Sequence, residues 1–269
     1  MKHFAPAVMF VWVIAAPGCA DTEWRLPPTA GAADYQLGGA YRPDPRVTIV
    51  ARDSHAQPEP GLYNICYVNG FQTQPGELQT WIDDHPDAVL HDGEGNPVSD
   101  PGWPDEYALD TRSARSRTQI AEVVGRAIAR CAASGFDAVE FDNLDSWTRF
   151  DGLTEQGNLA LAAELVDLAH HRGLAAGQKN APDLGDKGPG AGFDFVISEE
   201  CAAWNECGAY RAQYGSHHID IEYQDALPKG HSFDTLCRLP DQPDLTVLRD
   251  HLLRTPGQPG YVFGLCPVP

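Results

Sequence analysis

Acidic side chains gather at the ends of short apolar runs in this chain, a placement suited to chemistry that needs two carboxylates. The segment Phe136-Asp137-Ala138-Val139-Glu140-Phe141-Asp142-Asn143-Leu144-Asp145 is an alternating run introduced by Ser134-Gly135, with a cluster of acids at its far end. The pattern returns at 193–197, followed by Ser198-Glu199-Glu200-Cys201, and at 218–221, followed by Glu222-Tyr223. The run 174–177 leads instead into Gln178-Lys179-Asn180. Cleaving a glycosidic bond takes one carboxyl group to protonate the leaving oxygen and a second to act as nucleophile or base. Asp142 and Glu199 are the candidates for that pair. Glu200 is the adjacent competitor, but the alternation of strand faces sends only one of two neighbours inward.

Open and closed α/β folds collect their chemistry where parallel strands end, so these runs are expected to be strands of one sheet. Eight candidate strands can be placed, at 35–37, 47–51, 62–68, 107–109, 137–141, 174–177, 193–197 and 218–221. Between the later ones lie amphipathic helices. Ile120, Val123, Val124, Ala127, Ile128 and Cys131 repeat with helical spacing, and Thr154 is placed to cap a helix running to about residue 171. Asp244 is expected to cap a last helix carrying Leu245, Leu248 and Leu252. Strands alternating with helices in this number predict a (β/α)8 TIM-type barrel. It should be irregular in its first third, because the connections 42–46 and 54–60 are too short to hold helices. An open doubly wound sheet is the alternative, but no Gly-rich phosphate fingerprint follows the early strands. The Gly- and Pro-rich run 183–192 reads as a loop at the pocket rim.

The 269 residues carry 19 basic and 38 acidic side chains, a formal charge of −19. There is no basic patch for nucleic acid, and a negative cleft concentrates cationic ligands. Lys2 precedes an apolar stretch at 4–16, too short to span a bilayer, which reads as a secretory leader. Ala16-Pro17-Gly18-Cys19 resembles a loose bacterial lipobox that would make Cys19 a lipid-bearing N-terminus; plain cleavage near the same place is the alternative. Residues 1–19 are therefore expected to be removed or lipidated, 20–33 to form a tether, and 34–269 to fold as a single domain. With Cys19 set aside, the remaining cysteines are even in number, as a disulfide framework in an oxidising compartment requires. Cys201 and Cys207 are the expected local pair, Cys237 and Cys266 would staple the C-terminal helix, and Cys66 is left for Cys131. Zinc is disfavoured, since no CxxC accompanies these cysteines, and His170-His171 and His217-His218 read as structural. No metal or cofactor is expected.

The acid-bearing segment resembles the "G(F/C)D-x-V-x-x-DN-x-D" stretch of glycoside hydrolase family 114, the endo-α-1,4-polygalactosaminidases. The resemblance runs on in order through Tyr35-Gln36-Leu37, Ile65-Cys66-Tyr67-Val68, Leu109-Asp110, Gly177-Gln178-Lys179-Asn180, Glu199-Glu200-Cys201 and Ile221-Glu222-Tyr223. It implies a (β/α)8 barrel that cleaves α-1,4 linkages in galactosamine-rich polysaccharide, with Asp142 and Glu199 as the matching catalytic acids. An ammonium-bearing polymer suits the charge of this chain. The substrate-binding set it implies comprises Tyr35, Tyr67, Asp110, Asn143, Asp145, Lys179, Asn180, Glu200, Glu222 and Tyr223. Within it Asp145 and Glu222 would pair with sugar ammoniums, Lys179 and Asn180 would hold hydroxyls, and the tyrosines, together with Trp147, would offer stacking faces. The chain departs from the family pattern at Asn69-Gly70-Phe71-Gln72-Thr73-Gln74-Pro75, where many members carry a small-residue turn and an acid.

The expected function is thus an exported glycoside hydrolase, secreted or held at the cell surface, acting as a monomer on a cationic or amino-sugar polysaccharide. Asp142 is assigned as nucleophile or base and Glu199 as acid. Two alternatives remain at this level: a surface carbohydrate-binding protein on a catalytically degenerate barrel, and a hydrolase of a different exopolysaccharide.

Overall fold

The computed structural model describes Met1 and residues 23–267. The expected leader, the lipobox and residues 20–22 of the expected tether lie outside the described residues. Strands β1 (Ala33–Gln36), β2 (Ile49–Asp53), β3 (Tyr63–Asn69), β4 (Ala138–Asp142), β5 (Ala175–Lys179), β6 (Phe195–Glu199), β7 (His218–Tyr223) and β8 (Leu245–Arg249) pair in sequence order, all parallel. β9 (Phe263–Leu265) adds antiparallel to β8. The sheet curls into a nearly closed barrel, as predicted.

Where β1 meets β8 the seam is held by Arg249, which is fully buried. Its guanidinium donates to Asp34 Oδ1 at 3.1 Å and to the carbonyl of Tyr35, and also to the carbonyls of Val262 and Arg254. Strand alternation divides the core in two. Every second residue, such as Tyr35, Ile65, Ala138, Ile197 and Val247, fills the barrel lumen. The others pack outward against helices α2 (Ala114–Ser134) and α3 (Glu155–His170). On α2 the predicted stripe Ile120, Val124, Ile128 and Cys131 is the buried face; the helix starts at a Ser113 cap and stops at Gly135, whose φ of 91° a side chain would resist. Thr154 caps α3 as expected, accepting from the Gly157 N–H.

The early connections carry no helices between β1 and β2 or between β2 and β3, as their length dictates. Two element assignments are corrected. Residues 107–109 do not form a barrel strand; Tyr107, Ala108 and Leu109 make only isolated antiparallel bridges to Ser99, Gln72 and Val89, within an excursion of the β3–β4 connection that also contains α1 (Leu78–Asp84). The true eighth strand is Leu245–Arg249, expected as helix. Buried on both faces, it shows no clean alternation, and its leucines happen to fall at helical spacing. The Cys237–Cys266 disulfide therefore joins the end of a short helix, Phe233–Leu236, to the chain beyond β9, not a C-terminal helix. Cys66–Cys131 and Cys201–Cys207 also form as expected. The run 183–192 is not all loop: it holds the short helix α4 (Lys187–Gly190).

The expected tether is docked from Trp24 onward, a further correction. Trp24 stacks on His170 at 3.6 Å and donates to Asp194 at 3.0 Å; Arg25 pairs with Asp137, and its carbonyl accepts from Tyr63. The carbonyl of Pro27 meets His217. Tyr63, Asp137, Asp194 and His217 stand at the N-terminal ends of β3, β4, β6 and β7, and His170 ends α3, so the segment straps the floor of the barrel. An aromatic and a cation within a Pro/Ala/Thr-rich stretch are what turn it from linker to strap.

Candidate active site

At the opposite end of the barrel, β4, β5 and β6 each deliver one charged side chain to the same point. Asp142, Lys179 and Glu199 are the last residues of their strands and share the inward face. Each is followed at once by a residue in the left-handed region: Asn143 at φ 61°, Asn180 at 50° and Glu200 at 60°. Asparagine tolerates that conformation, whereas glutamate does so only under tertiary constraint, and such strain collects at functional sites. The three tight turns leave the charged residues standing at the rim with no further strand above them.

Lys179 is the hub. Its ammonium lies 3.3 Å from Asp142 Oδ1, 3.1 Å from Glu199 Oε2 and 3.3 Å from Glu140 Oε1, and donates to Tyr35 Oη at 3.2 Å. Only 3% of its side chain is exposed. Burial would discharge this lysine, but the surrounding carboxylates outweigh it and hold its pKa well above the usual value. Asp142 feels the reciprocal effect. Burial works to raise its pKa, yet the Lys179 charge, the Tyr67 hydroxyl at 2.6 Å and the Asn143 N–H at 2.8 Å together keep the carboxyl below its ordinary range. Glu199 accepts from the Tyr223 hydroxyl and from Asn180 Nδ2 at 3.3 Å, while Asn180 Oδ1 takes the Glu199 N–H. Burial and neighbouring carboxylates raise the pKa of Tyr67 and of Tyr223, so both hydroxyls stay protonated as donors.

Glu140 lies one inward step below Asp142 and is fully buried. Tyr35 donates to its Oε1 at 2.7 Å, and its Oε2 has no partner. Burial pushes this carboxyl up to about 7, with Lys179 pulling the other way. At Glu199 opens a cleft of about 420 Å³ whose walls also include Glu200, Asp145, Asn180 and Tyr223, together with Glu206, His251, Trp103 and Trp204.

A family model describing glycoside-hydrolase family GH114 matches residues 14–266. The chain belongs to that family. It is a glycoside hydrolase, as the paired strand-end carboxylates predicted. The crystal structure of Ega3 from Aspergillus fumigatus in complex with galactosamine matches this GH114 chain with a TM-score of 0.72 at 20% identity, over 93% of this chain and 100% of that one. The glycoside hydrolase domain of PelA from Pseudomonas aeruginosa matches with a TM-score of 0.59 at 18% identity, over 84% of this chain and 97% of that one. At these identities the likeness shows the barrel fold. No curated protein sequence matches the chain.

Most of the expected site residues of this GH114 barrel converge. Asp142, Glu199, Tyr35, Tyr67, Lys179, Asn180 and Tyr223 form one bonded cluster. Tyr35, however, is buried beneath Lys179 and has no face to offer a sugar. Asn143 braces the rim, donating to Asn69 and accepting from Arg149, and Asp145 reaches the cleft while paired with Arg149 at 2.6 Å. Glu200 lines the cleft beside His251, whose ring stacks on Tyr223 at 4.0 Å.

Beside the stacking role expected of Tyr35, three further expectations fail. Glu222 points out of the barrel, because Ile219, Ile221 and Tyr223 take the inward positions; it is buried beside Asp220, accepts the Ala202 N–H, and is pushed up to about 9 by burial and by Asp220. A buried, neutral carboxyl behind the strand binds no ammonium. Asp110 stays in the turn before α2, clamped to Arg112 at 2.6 Å, and is not among the cleft walls. Trp147 packs against the buried residues under the excursion. His218 is buried and held neutral, its pKa lowered to about 3 by burial, and His170 serves the N-terminal strap; both are structural as expected. His218 lies near Asp220 and Cys201, but that sulfur is bonded to Cys207 and is no thiolate ligand. Sequence reasoning did not assign Trp103, Trp204 or His251 to the cleft. They come from loops between strands, where periodicity carries no signal.

Proposed function

We propose that this chain is an exported enzyme that cleaves α-1,4 linkages in galactosamine-rich polysaccharide, with Asp142 as nucleophile and Glu199 as acid and base. The observation that carries the reading is the position of Lys179 Nζ, within 3.3 Å of both carboxylates. A shared contact at that range keeps the two nearest oxygens closer than the roughly 6.5 Å minimum of the inverting arrangement, which favours retention through a covalent intermediate. Asp142, kept ionised by three donors, attacks the anomeric carbon and forms a glycosyl ester. Glu199, open to the cleft, gives its proton to the departing oxygen. It then takes a proton from the water that hydrolyses the ester, and both carboxyls return to their starting states.

The substrate class is supported by charge. Asp145, Glu199, Glu200 and Glu206 line the cleft in a chain of net charge −19, a setting that attracts an ammonium-bearing polymer. The galactosamine complex of Ega3 supports the same sugar. Three disulfides support an oxidising compartment, reached through the leader at 1–19, the enzyme then being either released by plain cleavage or held at the surface by a lipid on Cys19. The test is to incubate wild type, Asp142→Asn and Glu199→Gln with a galactosamine-rich polymer and count reducing ends. Both variants are expected to lose at least a thousandfold in rate. Glu199→Gln should still form the ester from a substrate whose leaving group needs no proton, and Asp142→Asn should not. Near-normal polymer hydrolysis by either variant refutes the assignment.

A further inference from the structure

Two indoles on this protein stand in water at the walls of the catalytic cleft. Trp204 is 68% exposed and Trp103 is 58% exposed, whereas Trp24, Trp81 and Trp147 are packed or partly packed. Large exposed aromatics clustered at one opening mark a binding surface.

Neither indole is on a loose loop. Trp204 follows the strand end that carries Glu199. Its backbone N–H donates to the Glu200 carbonyl at 3.1 Å, and its ring Nε1–H donates to Glu200 Oε2 at 3.2 Å. The Cys201–Cys207 disulfide closes the same turn. Trp103 sits in the excursion between β3 and β4. Its N–H donates to the Asp100 carbonyl at 3.2 Å, and its own carbonyl accepts from the Glu106 N–H at 2.9 Å. Asp100 is fixed in turn by Gln72 at 2.8 Å. The rings reach the cleft from different crossovers, and Glu199 lies in the wall they share.

We infer that Trp103 and Trp204 are stacking platforms for two sugar residues of a bound chain, one on each side of the bond presented to Glu199. This deepens the proposed function and rests on it. The apolar face of a pyranose stacks on an indole, and an ammonium substituent adds cation–π attraction. Glu200 and Glu206 beside Trp204, and Asp145 in the same cleft, give that ammonium a counter-charge. Because the platforms are pre-fixed by backbone bonds and a disulfide, binding spends little free energy on ordering them. The cleft therefore selects a chain of several amino-sugars over a single unit.

The test compares wild type with Trp103→Ala, Trp204→Ala and Trp204→Phe on galactosamine-rich polymer and on short oligomers. Each alanine variant is expected to raise KM for the polymer at least tenfold, to change kcat less than threefold, and to change the short-substrate KM less; Trp204→Phe should recover most of the loss. In Glu199→Gln protein, titration with galactosamine oligomers should quench intrinsic fluorescence, and Trp204→Ala in that background should reduce the quench. Active wild type with unchanged KM in both alanine variants overturns the inference alone. So does a loss tracked by a lowered Tm and not recovered by phenylalanine. Wild type that releases no reducing ends from the polymer overturns the proposed function, and this inference with it.

Discussion

Replacing Glu140 with Gln isolates what a buried carboxyl costs the fold under the catalytic cluster. Glu140 is fully buried, one of its oxygens has no partner, and burial raises it from 4.5 to about 7. A carboxyl with a raised folded-state pKa binds its proton more tightly in the native protein than in the unfolded chain. Stability from this group is therefore fully present below pH 4.5, and is lost as the pH climbs through 7. The rise corresponds to about 3 kcal/mol at roughly 1.36 kcal/mol per pH unit. Glutamine keeps the shape and cannot ionise. The expected result is that Glu140→Gln matches wild type near pH 4 and exceeds it by about 3 kcal/mol at pH 8. Urea unfolding of both proteins at pH 4, 6 and 8, under non-reducing conditions, reads the difference directly. A gap that does not grow with pH, or a variant less stable than wild type at pH 8, refutes the reasoning. The second outcome would mean that ionised Glu140 is an obligatory partner of Lys179.

Lys179→Met should move the acid limb of the kcat/KM–pH profile to higher pH. Asp142 owes part of its low pKa to that ammonium, and without it the proposed nucleophile ionises later; an unmoved limb would dissociate the two residues. Arg249→Met should cost about 3–5 kcal/mol in denaturant unfolding, since it leaves the buried Asp34 carboxylate without a counter-charge, with only the neutral donors Gln36 and Tyr41, and unpairs carbonyls at the barrel seam. Replacing both Cys66 and Cys131 with Ala should lower stability by about 4 kcal/mol, from the entropy of a loop spanning 65 residues, with kcat little changed because both side chains lie behind the sheet.

The acid-bearing end of this barrel is legible because one rule, inward alternation, acts on residues close together in sequence. From Asp142 it places Glu140 directly below, and it excludes one of Glu199 and Glu200. The same rule applied to Ile219, Ile221 and Tyr223 turns Glu222 away from the lumen. The eighth strand is not legible in this way. A five-residue strand with buried side chains on both faces, only Leu248 being partly exposed, carries no clear period, and pairing with β7 fixes Leu245–Arg249 as strand. The excursion around Tyr107 was hidden for a related reason: its bridges join Gln72, Val89 and Ser99, partners that no local spacing identifies. The hub role of Lys179 lay beyond the sequence too, since it depends on three strand ends meeting within hydrogen-bond reach.

The strap formed by Trp24, Arg25 and Pro27 gives the molecule a direction. It binds the N-terminal ends of the strands, while the cleft opens beyond their C-terminal ends. Trp24, Arg25 and Pro27 thus lie at the barrel's back. The strap seals the end of the barrel that the cleft does not use and leaves the acid-bearing rim clear of the chain's own N-terminal segment.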